Sequence, residues 1–432
     1  MPNTNPTAIN RIILLILFLY PVLLLSVQGG ANVLFVVLLV ISLVIWVKLN
    51  LWRKFLKERS AIFFSVAMTS ILAATLLSQT YHDTFNSIHG DSPARFFVAI
   101  FIFYALRSLD LNIIPALKYG LPLGAITALF VALFIQYDGS SEFGLRASNS
   151  YLNPIHFGNL SLLLGMLSAC FVTDIKRTGF SANRLQIAGL IAGLSASALS
   201  GTRSGWVAIP VVLAFLLFSS DRPDKLKRLV GAVAVMTITA VICFLSVNVV
   251  QQRVYETAAE ISAIMNGDFN SSFGLRIQLW VAGFHMFIDN PIFGVGPSEF
   301  FSSMDKLYAS GMISSVPSSI YGTEVHSYFV ACAAELGGVG LLSAVSIFLV
   351  PLAMFVDAAK SRVDTVRIAA MAGICLVVSF FTFCLTAEMF NIKMVASFYA
   401  LLVAALLAAT HVVEKAPVKT STTGDKSCNT TN

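Results

Sequence analysis

Apolar runs of about 20 residues recur along the whole chain, and short polar stretches separate them. A helix of that length spans the hydrocarbon core of a bilayer. A membrane β-barrel would instead show alternating segments of about ten residues. The runs lie at residues 12–27, 31–47, 61–79, 95–109, 113–136, 154–173, 185–201, 204–219, 229–249, 327–356, 368–387 and 394–411. Each predicts a membrane-crossing helix, so the expected fold is all-α: a polytopic integral membrane protein with about 12 transmembrane helices. Composition agrees, with 57% of residues hydrophobic and 12% charged, about half the charged fraction of a soluble domain.

The pattern changes once. Residues 1–249 hold the first nine runs, 250–325 form a long loop, 326–411 hold the last three runs, and 412–432 form a polar tail expected to be disordered. Inside the long loop Val254, Ala258, Ile261 and Met265 keep a helical period. A second helix fits Ser272–Asp289, with Arg276, Trp280 and Phe284 at i, i+4 and i+8. Asn290-Pro291 should end it, because the residue before proline disfavours the α region. Phe293-Gly294-Val295-Gly296-Pro297 then reads as a tight turn. The loop is expected to fold as a small helical domain.

Lysine and arginine orient the bundle. All but seven of the 28 fall on one set of loops and ends, which the positive-inside rule makes cytoplasmic. Both termini are then expected in the cytoplasm, and the 250–325 loop on the opposite, outer side. The run after Arg11 lacks a following small-x-small cleavage site, so it reads as a retained span and not a signal peptide. The net charge of +6 is a matter of topology, not a nucleic-acid footprint, and membrane lipids are the expected surroundings. Five of the six cysteines sit inside apolar runs and none forms a CxxC pair, so neither a disulfide framework nor a metal site is indicated.

Topology also makes the seven exceptions conspicuous: Arg95, Arg146, Arg203, Arg253, Arg276, Lys306 and Lys393. Arg203 lies in Ser200-Gly201-Thr202-Arg203-Ser204-Gly205, between two nearly continuous spans. Snorkelling to the interface would explain it, and so would an anion site, since a guanidinium presents a planar fork to phosphate oxygens. Arg146 and Arg276 sit in the two substantial outer loops. Near them His326 opens the apolar run HSYFVACAAELGGVG. A histidine at an interface is most often an amphipathic anchor, but its near-neutral pKa also suits a general base. If the run is helical from His326 onward, Val330, Ala333, Gly337, Gly340 and Ala344 fall within about 40° of it, a small-residue face for close helix packing. Glu335 would sit about 13 Å deep and on the opposite side, a costly carboxyl and a second candidate together with Trp280. His82, His89, His156 and His285 are weaker candidates. No DxD pair, P-loop, GxSxG or HExxH occurs, so no metal site, ATP-driven transport or protease chemistry is expected.

His326-Ser327, nine residues, then Gly337-x-x-Gly340 resembles the histidine signature of the bacterial O-antigen ligases, a superfamily shared with O-antigen polymerases and bacterial protein O-oligosaccharyltransferases. The block Arg276…Trp280…Asn290-Pro291-x-Phe293-Gly294-x-Gly296 is similar to the same family, as is Arg203 after its glycine-serine stretch. The resemblance implies a glycosyltransferase of lipopolysaccharide biosynthesis in the bacterial inner membrane. It would move O-antigen glycan from undecaprenyl diphosphate to a hydroxyl of lipid A–core, with inversion, without metal or cofactor, at a periplasmic site. His326 would be catalytic, and Arg203, Arg276 and Arg146 would bind the donor diphosphate. Gly337 and Gly340 would be packing residues near the site. The nearest alternative is an O-antigen polymerase using the same donor. A flippase or transporter of the lipid-linked glycan is a more distant one, expected to show midplane polar sites and interrupted helices.

Overall fold

The computed structural model describes residues 8–51, 58–138, 146–172, 181–218, Val230, 248–309, Gly311 and 324–411. In chain order they form α1 (Ala8–Leu24), α2 (Gly30–Lys48), α3 (Arg59–Tyr81), α4 (Ser87–Ser108), α5 (Ile114–Asp138), α6 (Pro154–Cys170), α7 (Arg184–Leu199), α8 (Ala208–Phe218), α9 (Asn248–Met265), α10 (Ser272–Asp289), α11 (Phe300–Ala309), α12 (Tyr328–Ala358), α13 (Asp364–Cys384) and α14 (Lys393–Thr410). Among the described residues there is no β-strand, and one isolated bridge joins Asn149 and Leu152. The expected runs coincide with helices to within a few residues, except 95–109, whose helix starts eight residues earlier at Ser87, and 229–249, of which 231–247 lie outside the described residues. The tail at 412–432 lies outside them too.

Among the described residues six helices are long and apolar enough to cross a membrane: α2, α3, the 114–135 part of α5, α12, α13 and α14. Shorter apolar helices cover Ala8–Leu24, Pro154–Cys170 and Ser204–Leu216. The chain is an all-helical membrane protein of the polytopic kind. Its exterior bears this out: Val33, Val40 and Val47 on α2, Phe63 and Val66 on α3, and Phe130 and Phe134 on α5 are all exposed. Apolar surface on that scale belongs against lipid, not water.

Helix α14 is the axis of the bundle, buried from Met394 to Ala409. Phe380 of α13, Phe390, Phe348 of α12 and Tyr399 of α14 form an aromatic nest beside it, with Phe380 and Phe390 stacked at 5.5 Å between centroids. The Tyr399 hydroxyl donates to the Ile347 carbonyl at 2.8 Å, which meets its hydrogen-bonding need inside the core.

Helices α9 to α11 form a cap. The Ser271 hydroxyl caps α10 by accepting from Gly274 N–H at 3.1 Å, and the helix stops at Asp289 before Asn290-Pro291, as the proline requires. Leu279, Ala282, Met286, Phe300 and Met304 bury themselves against Val325, Ala331 and Ala334, so the cap shares a small core with the start of α12. Trp280 packs at the edge of that core.

The cap and α12 are joined by backbone as well. At Gly337 the helix breaks, with φ 67° and ψ −157°. The turn after α10 enters the break: Gly338 N–H donates to the Pro291 carbonyl (2.8 Å) and Val339 N–H to Ile292 (3.4 Å). In return Val295 N–H donates to the Ala334 carbonyl (2.9 Å) and Gly296 N–H to Glu335 (3.0 Å). Each such group left bare inside the protein would cost about 1–3 kcal/mol, so the turn is what makes the broken helix tolerable at this depth. Two glycines are required. Gly294 (φ 68°) and Gly337 both have left-handed backbone, and a Cβ on either would run into the other segment's main chain. The Ser78 hydroxyl donates to the Phe293 carbonyl at 2.8 Å, and a ring nitrogen of His82 lies 2.9 Å from the Gly294 carbonyl.

Two expectations therefore change. Helix α12 begins at Tyr328 with Ser327 as its N-cap, and His326 precedes it with φ 59°. The histidine is not on a helical face with Val330, Ala333, Gly337, Gly340 and Ala344. Gly337 serves a chain break that receives another segment and not a smooth helix contact. At Gly340 space is tight within the helix itself, against Leu336 and the Cys332 carbonyl.

Candidate functional site

The Gly201 turn between α7 and α8 sets the first part of the site. Gly201 has φ 64°. The Thr202 hydroxyl donates to the Pro154 carbonyl at 2.8 Å and the Ser200 hydroxyl to Thr202 at 2.9 Å, which pins the turn on the start of α6. Arg146 comes alongside through two contacts with the same turn: its Nε donates to the Ser200 carbonyl (2.9 Å), and Ala147 N–H donates to Leu199 (3.0 Å). Arg203 reaches the cap, where its guanidinium donates to the Thr257 hydroxyl of α9. Arg276 arrives from α10. These three arginines, predicted separately from topology, line one cavity of ≈ 450 Å³ together with Thr202, Thr257, Glu260 and Thr386. That volume is in the range of small-ligand sites, about 300–1,000 Å³.

His326, 7% exposed, is not part of the cavity's lining but lies within electrostatic reach of Arg276 in its wall. Its left-handed backbone costs a non-glycine residue on the order of 1–3 kcal/mol. The flanking Val325 N–H donates to Glu388, and Ser327 caps α12, so the surroundings hold the strained conformation. The imidazole Nδ1 lies 3.9 Å from Glu324 Oε2. Glu324 Oε1 lies 3.9 Å from Nε2 of His156 and accepts the Glu388 backbone N–H at 2.9 Å. One carboxylate thus stands between two imidazoles. Burial pushes the His326 pKa below its usual range; the Glu324 carboxylate opposes that, while Arg276 and His156 add to it.

His156 is placed by the helix cap. Asn153 Oδ1 accepts from His156 N–H at 3.0 Å and lies 2.9 Å from its Nδ1, and Pro154 occupies the first helical position. The backbone donor identifies that atom as the oxygen. The same atom that starts α6 therefore orients the imidazole, whose other nitrogen faces Glu324 and the Glu388 carbonyl.

Glu388 sits in the turn between α13 and α14, 5% exposed. Its carboxylate oxygens accept from Val325 N–H and the Asn391 amide. Burial drives its carboxyl well above the usual carboxylate range, and Glu335 and Glu324 push the same way.

Among the predicted residues, Arg146, Arg203 and Arg276 converge and His326 adjoins them. Glu335 does not join: its carboxylate takes the Ser298 and Phe300 N–H groups at the start of α11, and it borders a different cavity. Trp280 packs against the core of the cap. Gly337 and Gly340 lie below the site, in α12. Sequence reading missed Glu324, Glu388 and Asn153, and ranked His156 low. The signals available were the Asn153-Pro154 helix start and Glu324 two positions before His326. Among the described residues no group of three or more histidine, cysteine or acidic side chains is arranged to hold a metal ion.

A curated protein of Haemophilus influenzae, described only as uncharacterized, is 23% identical over 373 residues, covering 84% of this chain and 90% of its own length. A family model described as O-antigen ligase matches residues 188–345, a segment that includes Arg203, Arg276, Glu324 and His326. Over that segment the chain is similar to the O-antigen ligase family.

Proposed function

We propose that this protein transfers O-antigen glycan from undecaprenyl diphosphate to a sugar hydroxyl of lipid A–core, at the periplasmic end of an inner-membrane helical bundle. The observation that carries the reading is the convergence of Arg146, Arg203 and Arg276 on one cavity beside His326 and Glu324. The donor is already activated, so the chemistry needs placement and charge stabilisation more than energy input. As the bond from the anomeric carbon to the diphosphate oxygen breaks, negative charge grows on the leaving group, and fixed guanidinium groups act where it develops. His326, kept neutral by its burial, accepts the proton of the attacking hydroxyl as the new glycosidic bond forms. Glu324 steadies the imidazolium that results. One displacement inverts the anomeric centre, and the proposal assigns no side chain as a covalent nucleophile.

A polymerase would use the same donor and base with another lipid-linked glycan as acceptor. A transporter has less support, because the 291–296 turn occupies the interruption of α12 and takes up the Ala334 and Glu335 carbonyls and the Gly338 and Val339 N–H groups. Reconstitution in proteoliposomes tests the reading. With donor and both acceptors present, lipid A–core should be consumed, and His326→Ala should stop the transfer at equal protein level. Extension of the lipid-linked glycan alone would make the protein a polymerase. Capped product from His326→Ala would remove the histidine from the mechanism.

A further inference from the structure

A second cavity of ≈ 430 Å³ opens between α3, α4, α12 and the turns around Ser298 and Glu388. Its character is opposite to that of the first. No arginine lines it; its wall carries the two carboxyls Glu335 and Glu388, with Ser92, Ser298 and Asn391. Its cationic groups already have partners, Lys393 with Asp91 and His89 with the Ser298 hydroxyl of the same wall. Such a wall offers phosphate no guanidinium. Carboxyl, amide and hydroxyl oxygens instead suit ligands rich in hydroxyl donors. The remaining wall is aromatic, from Phe96, Phe301, Tyr328 and Phe390, and flat apolar rings give the C–H face of a pyranose a surface to lie on.

Its position is equally specific. Val325 lines this cavity, Thr386 lines the arginine cavity, and His326 and Glu388 belong to the two short segments that separate them. Glu388 has no part in diphosphate binding, yet it is deeply buried and holds the backbone next to His326. We propose that the second cavity is a saccharide site that holds the acceptor sugar, with Glu388, Asn391 and Ser298 taking its hydroxyl groups and His326 standing in the partition between acceptor and donor. The assignment rests on the transferase reading for the word acceptor, but the saccharide specificity stands on the cavity alone. Burial raises the Glu388 pKa well above the usual carboxylate range, which favours the protonated form that can both donate to and accept from a sugar.

Binding measurements on the purified full-length protein test this without turnover. The probes are delipidated core oligosaccharide and undecaprenyl diphosphate, each titrated alone. Ser92→Phe fills the cavity from α4. Ile88→Trp obstructs its mouth from a position 69% exposed, where no core packing is at stake. Both should weaken oligosaccharide binding at least tenfold and leave undecaprenyl diphosphate binding as in the wild type. Arg203→Ala should do the reverse. Wild-type oligosaccharide affinity in both blocking variants, or its loss in Arg203→Ala, would overturn the proposal and move the sugar to the arginine cavity. If the wild type binds oligosaccharide in a manner sensitive to Ser92→Phe yet binds no undecaprenyl diphosphate, the saccharide site is supported and the transferase reading fails.

Discussion

Glu324 places a carboxylate oxygen 3.9 Å from Nδ1 of His326, two residues away in sequence but turned back on it by the left-handed conformation of the histidine itself. A helix beginning at His326 would have carried the imidazole away from that carboxylate. The strained residue therefore makes the pair, and the pair raises the proton affinity of the proposed base against the effect of its burial.

Replacing Glu324 with Gln keeps the shape and removes the charge. Because Glu324 raises the His326 pKa against burial, the acid limb of the pH–rate profile should move to lower pH and the maximal rate should fall. The loss should be smaller than that of His326→Ala, which removes a general base worth about 10²–10⁴-fold. An unmoved acid limb in steady-state transfer assays would detach Glu324 from the base.

Stability should also report on the buried imidazole. Its folded pKa lies below the unfolded value of about 6.5, so the unfolded chain binds more protons across that interval. The contribution is present in full above about pH 6.5 and is lost as pH falls through the folded value. Thermal unfolding of His326→Gln in detergent should therefore show a shallower decline in midpoint below pH 6.5 than the wild type. Parallel curves would contradict the depressed pKa.

Arg203→Lys and Arg276→Lys separate charge from geometry. Lysine retains the cation but loses the planar fork. Each exchange should raise the donor KM about tenfold, roughly 1.4 kcal/mol, and leave the acceptor KM unchanged. Equal donor KM values for wild type and both variants would remove these arginines from diphosphate recognition.

Gly337 and Gly338 are neighbours with different duties. Gly337→Ala strains a left-handed residue and meets the Ile292 carbonyl, so it should destabilise cap docking by about 1–3 kcal/mol. At Gly338 a Cβ meets only the Pro291 carbonyl, at 3.1 Å, and Ala should be tolerated far better. Limited proteolysis of the 291–300 turn and the unfolding midpoint distinguish the two. Equal behaviour would refute the interlock.

Helix positions were legible in the sequence because apolar runs of membrane length leave little choice of structure. The 272–289 helix and its stop at Asn290-Pro291 were legible for a local reason, proline geometry. The convergence of Arg146, Arg203 and Arg276 could be anticipated from their placement on the wrong side of the charge pattern. Glu324, His156 and Glu388 could not be assembled that way: their segments are far apart, and what joins them is a helix cap and a turn between spans. Gly337 looked like a packing glycine because a small residue in an apolar run signals close approach equally whether a side chain or a backbone approaches. Only the partner's Gly294 and Gly296 tell the two apart.

The interlocked turn also limits how substrates can enter. Residues 291–296 are hydrogen-bonded into the break of α12 while α10 carries Arg276 at its other end, and the first turns of α12 follow directly from His326. Arg276 and His326 are thus mounted on one frame. An opening of the cap hinged here would carry the proposed base along with the arginine, so under the proposed function room for the glycan comes from the α7–α8 side, where Arg203 donates to the Thr257 hydroxyl of the cap.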